Sequence, residues 1–293
     1  MHVWLNGDIM TSSDARISPF DRGFLFGDGL YEVVRYFNGR PVEIPGHILR
    51  MKAGLDAIGM AGFDATELET IGQMLLDSNE LSDALFYLQV TRGCEPDQRN
   101  HIPASRIKAT SFGFVTEAEP LAALTHPRPI TCITAPDQRW RRCEIKSINL
   151  LANVMAGLAA DKEDAGEALL HRGGYVSEGT KSNVFAVVSG WVVTPPIGEE
   201  PSILHGVTRH AAIEAAKACG HRIDERYLRL EELRNAGEIF ITSTRRIVSG
   251  VSHLDRHPIS QGTVGPVTQQ VFDHLKKNIA RSCGVKTAET LKV

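Results

Sequence analysis

The sequence predicts an α+β fold in two domains. Its 293 residues exceed the usual range of a single domain, so two domains around one cleft are the default expectation. Asn-Gly turns between apolar residues indicate antiparallel hairpins in the first half of the chain. Three prolines without a clear period predict a linker at 118–129, between an N-terminal domain at 1–117 and a C-terminal domain at 130–293.

The N-terminal domain is predicted to be mainly antiparallel. Apolar residues at three- and four-residue spacing indicate helices, and runs of β-branched and aromatic residues indicate strands. The predicted elements are a hairpin turning at Asn6-Gly7, a hairpin turning at Asn38-Gly39, helices over 46–60 and 65–79, and strands over 85–91 and 107–115.

The C-terminal domain is predicted to alternate between strands and helices. The same patterns apply, and the sequence contains no repeats and no low-complexity tract. The predicted elements are strands over 130–135, 168–171, 184–188, 192–193 and 238–242, and helices beginning near Ser147, after Gly206, near Glu231 and near Pro266.

Composition excludes several classes of protein. Hydrophobic residues make up 42% of the chain and charged residues 23%, which is typical of a soluble globular protein. A net charge of −3 gives no support for a nucleic-acid surface, and no apolar stretch is long enough to span a membrane. The N-terminus lacks the pattern of a secretory signal. Five cysteines without close spacing argue against disulfides or a zinc knuckle and favour the reducing cytoplasm, and the histidines form no metal motif.

Two ionisable residues lie in segments where a charged side chain is unexpected. Lys146 lies inside a mostly apolar run, and Glu178 lies among small residues just before the apolar strand at 184–188. Burial disfavours the charged form of an amine, and a neutral amine forms a Schiff base with an aldehyde. A carboxylate beside a pyridine nitrogen keeps that nitrogen protonated. Alternatively, Lys146 opens a helix and extends to solvent, and Glu178 is an ordinary turn residue.

Several residues are candidates for binding a phosphate. Backbone N–H groups at a helix start bind anions, and such a start is predicted at Val207 and Thr208. Ser243 and Thr244 offer hydroxyls after a strand, and Arg50 offers charge-assisted hydrogen bonds. Taken alone, Arg50 is better explained as a surface residue.

The proline-flanked loop at 92–103 carries Arg99 and His101. This pair can clamp a substrate carboxylate, or it can be solvated loop charge. The glycine-rich segment at 23–32 is not a dinucleotide-binding fingerprint, because it leads into a strand. Tyr31 at its end either points its hydroxyl into a cleft or packs in the sheet.

Taken in order, these segments resemble the fold-type IV pyridoxal-phosphate enzymes, also called class IV aminotransferases. The resemblance covers nearly the whole chain, and the order and spacing of the segments are more specific than any one of them. The segments that carry it are Asp21-Arg22-Gly23, Phe26-Gly27-Asp28-Gly29, Tyr31-Glu32, His47-x-x-Arg50, Ile145-Lys146-Ser147, Glu178-Gly179-Thr180-x-Ser182-Asn183, Leu204-x-Gly206-Val207-Thr208-Arg209 and Ile241-x-Ser243-Thr244. The resemblance implies a smaller N-terminal α/β sandwich and a larger C-terminal pseudo-barrel domain.

The resemblance also implies a role for each candidate residue. Lys146 is the Schiff-base lysine and proton shuttle for pyridoxal 5'-phosphate, and Glu178 pairs with the pyridinium nitrogen. Leu204 packs against the cofactor ring, and Arg139 matches a family arginine near the active site. The phosphate is held by Arg50, by the backbone of Val207 and Thr208, and by the hydroxyls of Ser243 and Thr244.

Within the family, the likeness is greatest to the D-amino-acid transaminase subfamily. Its carboxylate trap is an Arg-x-His loop with the tyrosine of the glycine-rich segment, here Arg99, His101 and Tyr31. In that subfamily the Arg and His come from the partner subunit, which implies a homodimer with shared active sites. The implied reaction is ping-pong transamination between a D-amino acid, such as D-alanine or D-glutamate, and a 2-oxo acid.

The sequence departs from the family pattern at three cations. Lys181, Arg245 and Arg246 replace small or apolar residues, and they either bind a second substrate carboxylate or face solvent. The loop between Gly93 and Arg99 is also about two residues longer than the subfamily pattern. Three alternatives stay open: a branched-chain L-amino-acid transaminase, an aminodeoxychorismate lyase, and a non-enzymatic binding protein without cofactor.

Overall fold

The computed structural model describes residues 1–97, 99–104, 107–198 and 200–286. The chain forms two compact units. The first contains Met1–Ala123, Ile145–Asn149 and residues 280–286, and the second contains Leu124–Glu144 and Leu150–Ile279. The domain boundaries at 117 and 130 stay predictions, and the last seven residues of the predicted C-terminal domain lie outside the described residues.

The first unit contains a six-stranded antiparallel sheet with the strand order β2-β1-β6-β5-β3-β4. Its strands are β1 His2–Leu5, β2 Asp8–Thr11, β3 Gly29–Phe37, β4 Arg40–Pro41, β5 Ala84–Thr91 and β6 Thr110–Glu117. Its helices are α1 Arg22–Phe26, α2 Ile44–Ala57 and α3 Glu67–Ser78, and a single 3₁₀ turn lies at Leu121–Ala123.

Both predicted hairpins are confirmed, because their turns adopt the backbone that Asn-Gly favours. Asn6 and Gly7 have φ values of 54° and 111°, and Asn38 and Gly39 have values of 52° and 71°. Positive φ at both central residues matches the right-handed twist of the flanking strands. The strand predicted over 107–115 instead begins at Thr110.

The two faces of this sheet differ in burial. Alternate residues such as Val34, Phe86 and Leu88 are fully buried in a core that includes Leu75 of α3. The opposite face is only partly covered and is aromatic, since the Tyr31 and Tyr87 rings stack at 5.6 Å and the Tyr87 and Phe114 rings lie at 5.1 Å. Alternation along each strand therefore produces one fully buried face and one partly buried, aromatic face.

The predicted helix start near Ser147 is wrong. Residues 145–149 are extended, with Ser147 forming an antiparallel bridge to Leu30 and Ile145 buried in the core of the first unit. The Ile148 amide donates to the Gly29 carbonyl at 3.1 Å. These long-range bonds replace the local helical ones, and the helix begins only at Leu151.

The second unit contains a nine-stranded mixed sheet with the order β12-β11-β10-β13-β14-β7-β8-β9, and β15 pairs with β14. Its strands are β7 Ile130–Pro136, β8 Glu167–Arg172, β9 Tyr175–Gly179, β10 Asn183–Val188, β11 Trp191–Thr194, β12 Arg222–Glu225, β13 Glu238–Ser243, β14 Ile247–Leu254 and β15 His257–Pro258. Its helices are α4 Leu151–Asp161, α5 Val207–Ala218, α6 Leu230–Arg234 and α7 Pro266–Ser282, and a 3₁₀ turn lies at Ser260–Gly262.

The sheet of the second unit is curled, so that β9 at its end also contacts β10. Its strands contribute a continuous apolar core, in which Val184, Ile239 and Ile241 are at most 1% exposed. The Phe185 and Phe240 rings stack face to face at 4.7 Å. The predicted α+β class and the pseudo-barrel form are confirmed. No helix among the described residues is long and apolar enough to cross a bilayer.

The core of the first unit gives a stability prediction from two adjacent residues of α3. Leu75 is fully buried, whereas Met74 is 39% exposed. Leu75→Ala should lower the free energy of unfolding by about 2–5 kcal/mol, because it removes buried surface and leaves a cavity. Met74→Ala should change it by less than about 1 kcal/mol. Urea unfolding of the two variants measures the difference, and equal losses would contradict the packing described.

Candidate active site

Lys146 lies on the extended segment that crosses the sheet of the first unit. Its carbonyl accepts from the Tyr31 amide at 3.0 Å, and its Nζ lies 4.3 Å from the centroid of the Tyr31 ring. The side chain is half-buried, and Ile145 before it is anchored in the core. The structure therefore brings two predicted site residues together, with the amine held over an aromatic face.

A cleft of about 560 Å³ opens along the same aromatic face. Its lining includes Ile148, two residues after Lys146, together with Phe112 and Gln89. The Gln89 side chain is fixed by the Tyr87 hydroxyl, which donates to its Oε1 at 2.9 Å. The cleft combines apolar walls with a few oriented polar groups, which is typical of a small-molecule site.

Glu178 lies inside β9 and is only 4% exposed. Glu178 was predicted to lie among turn residues, and this prediction is wrong, because the turn begins two residues later and covers 180–182. The carboxylate accepts from the Arg139 guanidinium, from the Asn183 amide at 2.9 Å and from the Leu204 backbone N–H at 3.1 Å. A buried acid is thus satisfied by three donors from separate parts of the chain.

Burial raises the pKa of the Glu178 carboxyl, and the Arg139 guanidinium and the Leu204 N–H offset part of that rise by stabilising the charged form. Arg139 is itself fixed by Asp137, whose carboxylate receives its Nη2 at 2.9 Å and its Nε at 3.0 Å. The Ser177 hydroxyl donates to the same carboxylate at 2.7 Å. Arg139, which the family resemblance placed near the site, therefore orients Glu178 directly.

Asn183 connects Glu178 to the start of α5. Its amide also donates to the Leu204 carbonyl at 3.1 Å, and a Cβ on Gly206 would come within 1.9 Å of its Oδ1. Only glycine fits at Gly206, so the approach of the chain to α5 is fixed by this contact. Sequence reasoning listed Asn183 only as part of a motif and missed this role.

The predicted phosphate ligands of the second unit lie at two chain ends. Val207 and Thr208 are the first residues of α5, whose N-cap Gly206 provides no side-chain cap, and their amides have no acceptor within the described chain. Ser243 ends β13 and Thr244 follows it. The register pairs Asn183 with Thr242, which places the end of β13 beside the start of β10. Uncapped amides and hydroxyls form a donor set that suits an anion.

Arg50, the predicted phosphate ligand of the first unit, is held by a buried carboxylate. Its Nε and Nη2 donate to the two oxygens of Glu32 at 2.7 Å each, and the His47 ring lies 2.8 Å from Glu32 Oε2. Burial alone would raise the pKa of Glu32, but Arg50 and His47 outweigh it and hold the pKa far below its usual range. Glu32 and His47 were missed as functional residues, although His47 and Arg50 share a helix face at i, i+3.

Arg99 and His101 come together on Phe26 of α1. The Arg99 guanidinium carbon lies 4.9 Å from the Phe26 ring centroid, and the His101 ring lies at 5.4 Å. Both residues are exposed, and within the described contacts neither touches Tyr31. The structure thus assembles the Arg-x-His part of the predicted trap and leaves its tyrosine elsewhere in the same unit.

The extra cations lie in two neighbouring turns. Lys181 is in the β9–β10 turn, and Arg245 and Arg246 are in the β13–β14 turn, at the same end of the paired strands β10 and β13. All three side chains are exposed and form no ion pair within the described part of the chain. Leu204 is half-buried, with its amide on Glu178.

Comparison of sequences places the chain among known proteins. The family model for amino-transferase class IV matches residues 29–254. The D-alanine aminotransferase of Staphylococcus aureus strain MSSA476 is 35% identical over 280 residues, covering 94% of this chain and 97% of the relative. The D-alanine aminotransferase of Bacillus licheniformis is 36% identical, covering 95% and 97%.

Solved structures show the same fold at lower identity. The branched-chain amino acid aminotransferase of Escherichia coli has a TM-score of 0.84 at 24% identity, covering 99% of this chain and 95% of its own. The branched-chain aminotransferase of the thermophilic archaeon Thermoproteus uzoniensis, solved with norvaline, has a TM-score of 0.83 at 22% identity, covering 99% and 97%.

The Glu32 cluster gives a prediction for stability against pH. Because the folded pKa of Glu32 is lowered, its contribution to stability is present above the unfolded pKa of about 4.3 and is lost as the pH falls below it. Glu32→Gln should cost about 3–5 kcal/mol at pH 7, since it removes the buried carboxylate that the Arg50 guanidinium and the His47 ring share. It should also flatten the decline in stability between about pH 5 and pH 3.

Denaturant unfolding from about pH 3 to pH 7 measures both effects. Glu117→Gln, on the exposed end of β6, is the matched control and should show neither. A Glu32→Gln protein with an unchanged acid slope would contradict the paired-carboxylate assignment.

Proposed function

The chain belongs to the class IV aminotransferases, which depend on pyridoxal phosphate, and we propose that it transfers amino groups between D-amino acids and 2-oxo acids. The observation that carries the proposal is the Arg99–His101 pair, which the structure assembles on one aromatic ring. The relatives named D-alanine aminotransferase support it, because they match nearly the whole chain at 35–36% identity. The branched-chain enzymes, at 22–24% identity, support the fold alone.

The described residues fit the cofactor. A half-buried amine, a buried carboxylate, two uncapped helix amides and two adjacent hydroxyls match the aldehyde, ring nitrogen and phosphate of pyridoxal 5'-phosphate. In the proposal, the Lys146 amine would hold the aldehyde, Glu178 would hold the ring nitrogen and Leu204 would pack on the ring. Arg50, Val207, Thr208, Ser243 and Thr244 hold the phosphate. When bound, the cofactor supplies an electron sink for the substrate carbanion.

The chain's own residues then provide orientation and proton transfer. The Lys146 amine takes the proton from the substrate α-carbon and returns it one position away, acting as base and then as acid. Arg139 stabilises the charged form of Glu178, and that charge favours a proton on the ring nitrogen. Tyr31, beside Lys146, limits the space around the amine.

Arg99 and His101 are proposed to bind the substrate α-carboxylate, with Tyr31 completing the trap. Their exposure in the single chain supports a homodimer in which each chain completes its partner's site. Binding the carboxylate on one side of the reacting carbon decides which face receives the proton, and hence handedness. All five cysteines are free among the described residues, which supports a location in the reducing cytoplasm.

A chiral assay tests the proposal. Purified holoenzyme should transaminate D-alanine with 2-oxoglutarate and D-glutamate with pyruvate, and should leave L-alanine and L-leucine with 2-oxoglutarate, and L-glutamate with pyruvate, almost unchanged. Lys146→Ala should lower turnover by at least about 10⁴-fold, whereas Lys162→Ala, an exposed lysine after α4, should behave as wild type. Product formation is followed by chiral chromatography.

Other outcomes favour the alternatives. Preferential use of L-leucine would indicate a branched-chain transaminase. Release of pyruvate from aminodeoxychorismate would indicate the lyase, which uses the same lysine for elimination. The non-enzymatic alternative is excluded by membership of the family.

Lys181 and Arg245 are proposed to bind the second carboxylate of a dicarboxylic substrate. Their turns are neighbours at the end of β10 and β13 that carries Ser243 and Thr244. Lys181→Ala and Arg245→Ala should each raise the KM for 2-oxoglutarate about tenfold, because each removes one charge-assisted bond, and should leave the KM for pyruvate unchanged.

Arg246→Ala is the matched control for this prediction, since it removes the same charge from the same turn. Its backbone amide still donates to Ser243 Oγ at 3.2 Å. Equal changes for the two oxo acids, or an effect of Arg246→Ala alone, would contradict the assignment to Lys181 and Arg245. Steady-state kinetics with each oxo acid provides the measurement, with D-2-aminobutyrate as the donor because its own oxo acid is neither of the two.

A further inference from the structure

We propose that Arg22 is a positioning residue that holds the Arg99–His101 loop in the form that receives the substrate carboxylate. The inference rests on the proposed function, because it concerns the same carboxylate trap. Arg22 is the first residue of α1 and is only 4% exposed, which is rare for an arginine. Its buried guanidinium therefore needs a specific set of partners.

The guanidinium joins α1 to the backbone of the loop. Its Nε donates to Asp28 Oδ2 at 2.8 Å, its Nη1 to the Asn100 carbonyl at 2.6 Å, and its Nη2 to the His101 carbonyl at 2.8 Å. The two carbonyls follow directly after Arg99 in the chain. A planar donor fork thus fixes two consecutive peptide groups and, through them, the direction in which Arg99 and His101 leave the backbone.

Phe26, one helical turn after Arg22, fixes the side chains of the same loop. Its ring centroid lies 4.8 Å from the Arg22 guanidinium carbon, 4.9 Å from that of Arg99 and 5.4 Å from the His101 ring centroid. Cations over an aromatic face are attracted by its quadrupole. The loop is therefore held at its backbone by Arg22 and at its side chains by Phe26.

The charges of the cluster leave Arg99 available for a ligand. Asp28 accepts from both Arg22 and Arg92, and Arg22 also lies 3.5 Å from Glu95. Burial would raise the pKa of Asp28, but the hydrogen bonds from Arg92 and Arg22 outweigh it and lower the pKa, so the carboxylate stays charged. Arg99 has no ion pair within the described chain. A fixed, unpaired cation on an exposed loop binds a carboxylate with less loss of conformational entropy than a free one.

Arg92 is a matched control within the same cluster. It donates through Nε to Asp28 at 2.8 Å and through its two terminal nitrogens to the carbonyls of Gly59 and Ile58 at 3.0 and 2.9 Å. Like Arg22, it therefore joins one carboxylate to two backbone carbonyls, but its carbonyls follow α2 instead of lying in the trap loop. Comparing the two variants therefore separates a loss of stability that both share from an effect on substrate binding that is specific to Arg22.

The experiment compares Arg22→Gln with Arg92→Gln in the holoenzyme. Arg22→Gln should raise the KM for D-alanine about tenfold or more, with kcat reduced far less, and should weaken binding of the unreactive carboxylate propionate by a similar factor. The single-turnover rate with a primary amine that lacks a carboxylate should stay unchanged. Arg92→Gln should change the KM for D-alanine and propionate binding much less than Arg22→Gln does, because its carbonyl partners follow α2. The decrease in cofactor absorbance reports the half-reaction, and titration calorimetry reports propionate binding.

Two outcomes would overturn the inference. The first is an equal effect of Arg22→Gln and Arg92→Gln on propionate binding, and the second is an equal loss for the carboxylate-free amine. If Arg22→Gln does not fold, Arg22→Lys replaces it, since it keeps the positive charge and loses the planar donor fork that binds both carbonyls; unchanged propionate binding there also contradicts the inference. A wild-type protein without activity on any D-amino acid refutes the proposed function instead, and propionate binding then decides the role of Arg22 by itself.

Discussion

A buried carboxylate that holds an arginine is the interaction on which the candidate site depends. Glu178 is the clearest case, because Arg139, Asn183 and the Leu204 amide all converge on it. The same arrangement recurs in the first unit, where Glu32 fixes Arg50 and Asp28 fixes Arg22. Removing an acid from water is costly unless donors replace the water, so each acid dictates the position of its donors. The geometry of the site is thus set by acids that need not all contact a ligand.

The arginines form two groups, according to whether a carboxylate is paired with them. Arg22, Arg92 and Arg139 have carboxylate partners at 2.5–2.9 Å and serve to orient loops and other side chains. Arg99 and Arg245 are exposed and have no such partner within the described chain, so their charge is available to a substrate. Within each unit, the carboxylates therefore offset the charge of the arginines that they hold. This pairing explains why the proposed reaction, which handles acids with one or two carboxylates, does not require a strongly positive protein.

Sequence reasoning recovered what depends on local chemistry and missed what depends on distant contacts. Asn-Gly pairs fix their turns by themselves, so both hairpins of the first unit were predictable, and the order of motifs pointed to Lys146 and Glu178. The helix expected near Ser147 failed because Leu30, far away in the sequence, pairs with Ser147 in an isolated antiparallel bridge. Glu178 was placed in a turn because its burial comes from strand pairing that the local residues do not reveal. Arg22 stood out only as part of a motif, and its role gave no signal because its partners at Asn100 and His101 are 78 and 79 residues distant.

The short segment Ile145–Asn149 belongs to the first unit, although the chain on both sides of it belongs to the second. The polypeptide therefore passes from one unit to the other several times, and the residue proposed to form the Schiff base lies on one of these brief returns. A cut at any single peptide bond cannot separate the units as two contiguous pieces. Recombination that exchanges one continuous segment for that of a relative could therefore not transfer the lysine together with the rest of its unit without also transferring part of the second unit, residues 124–144.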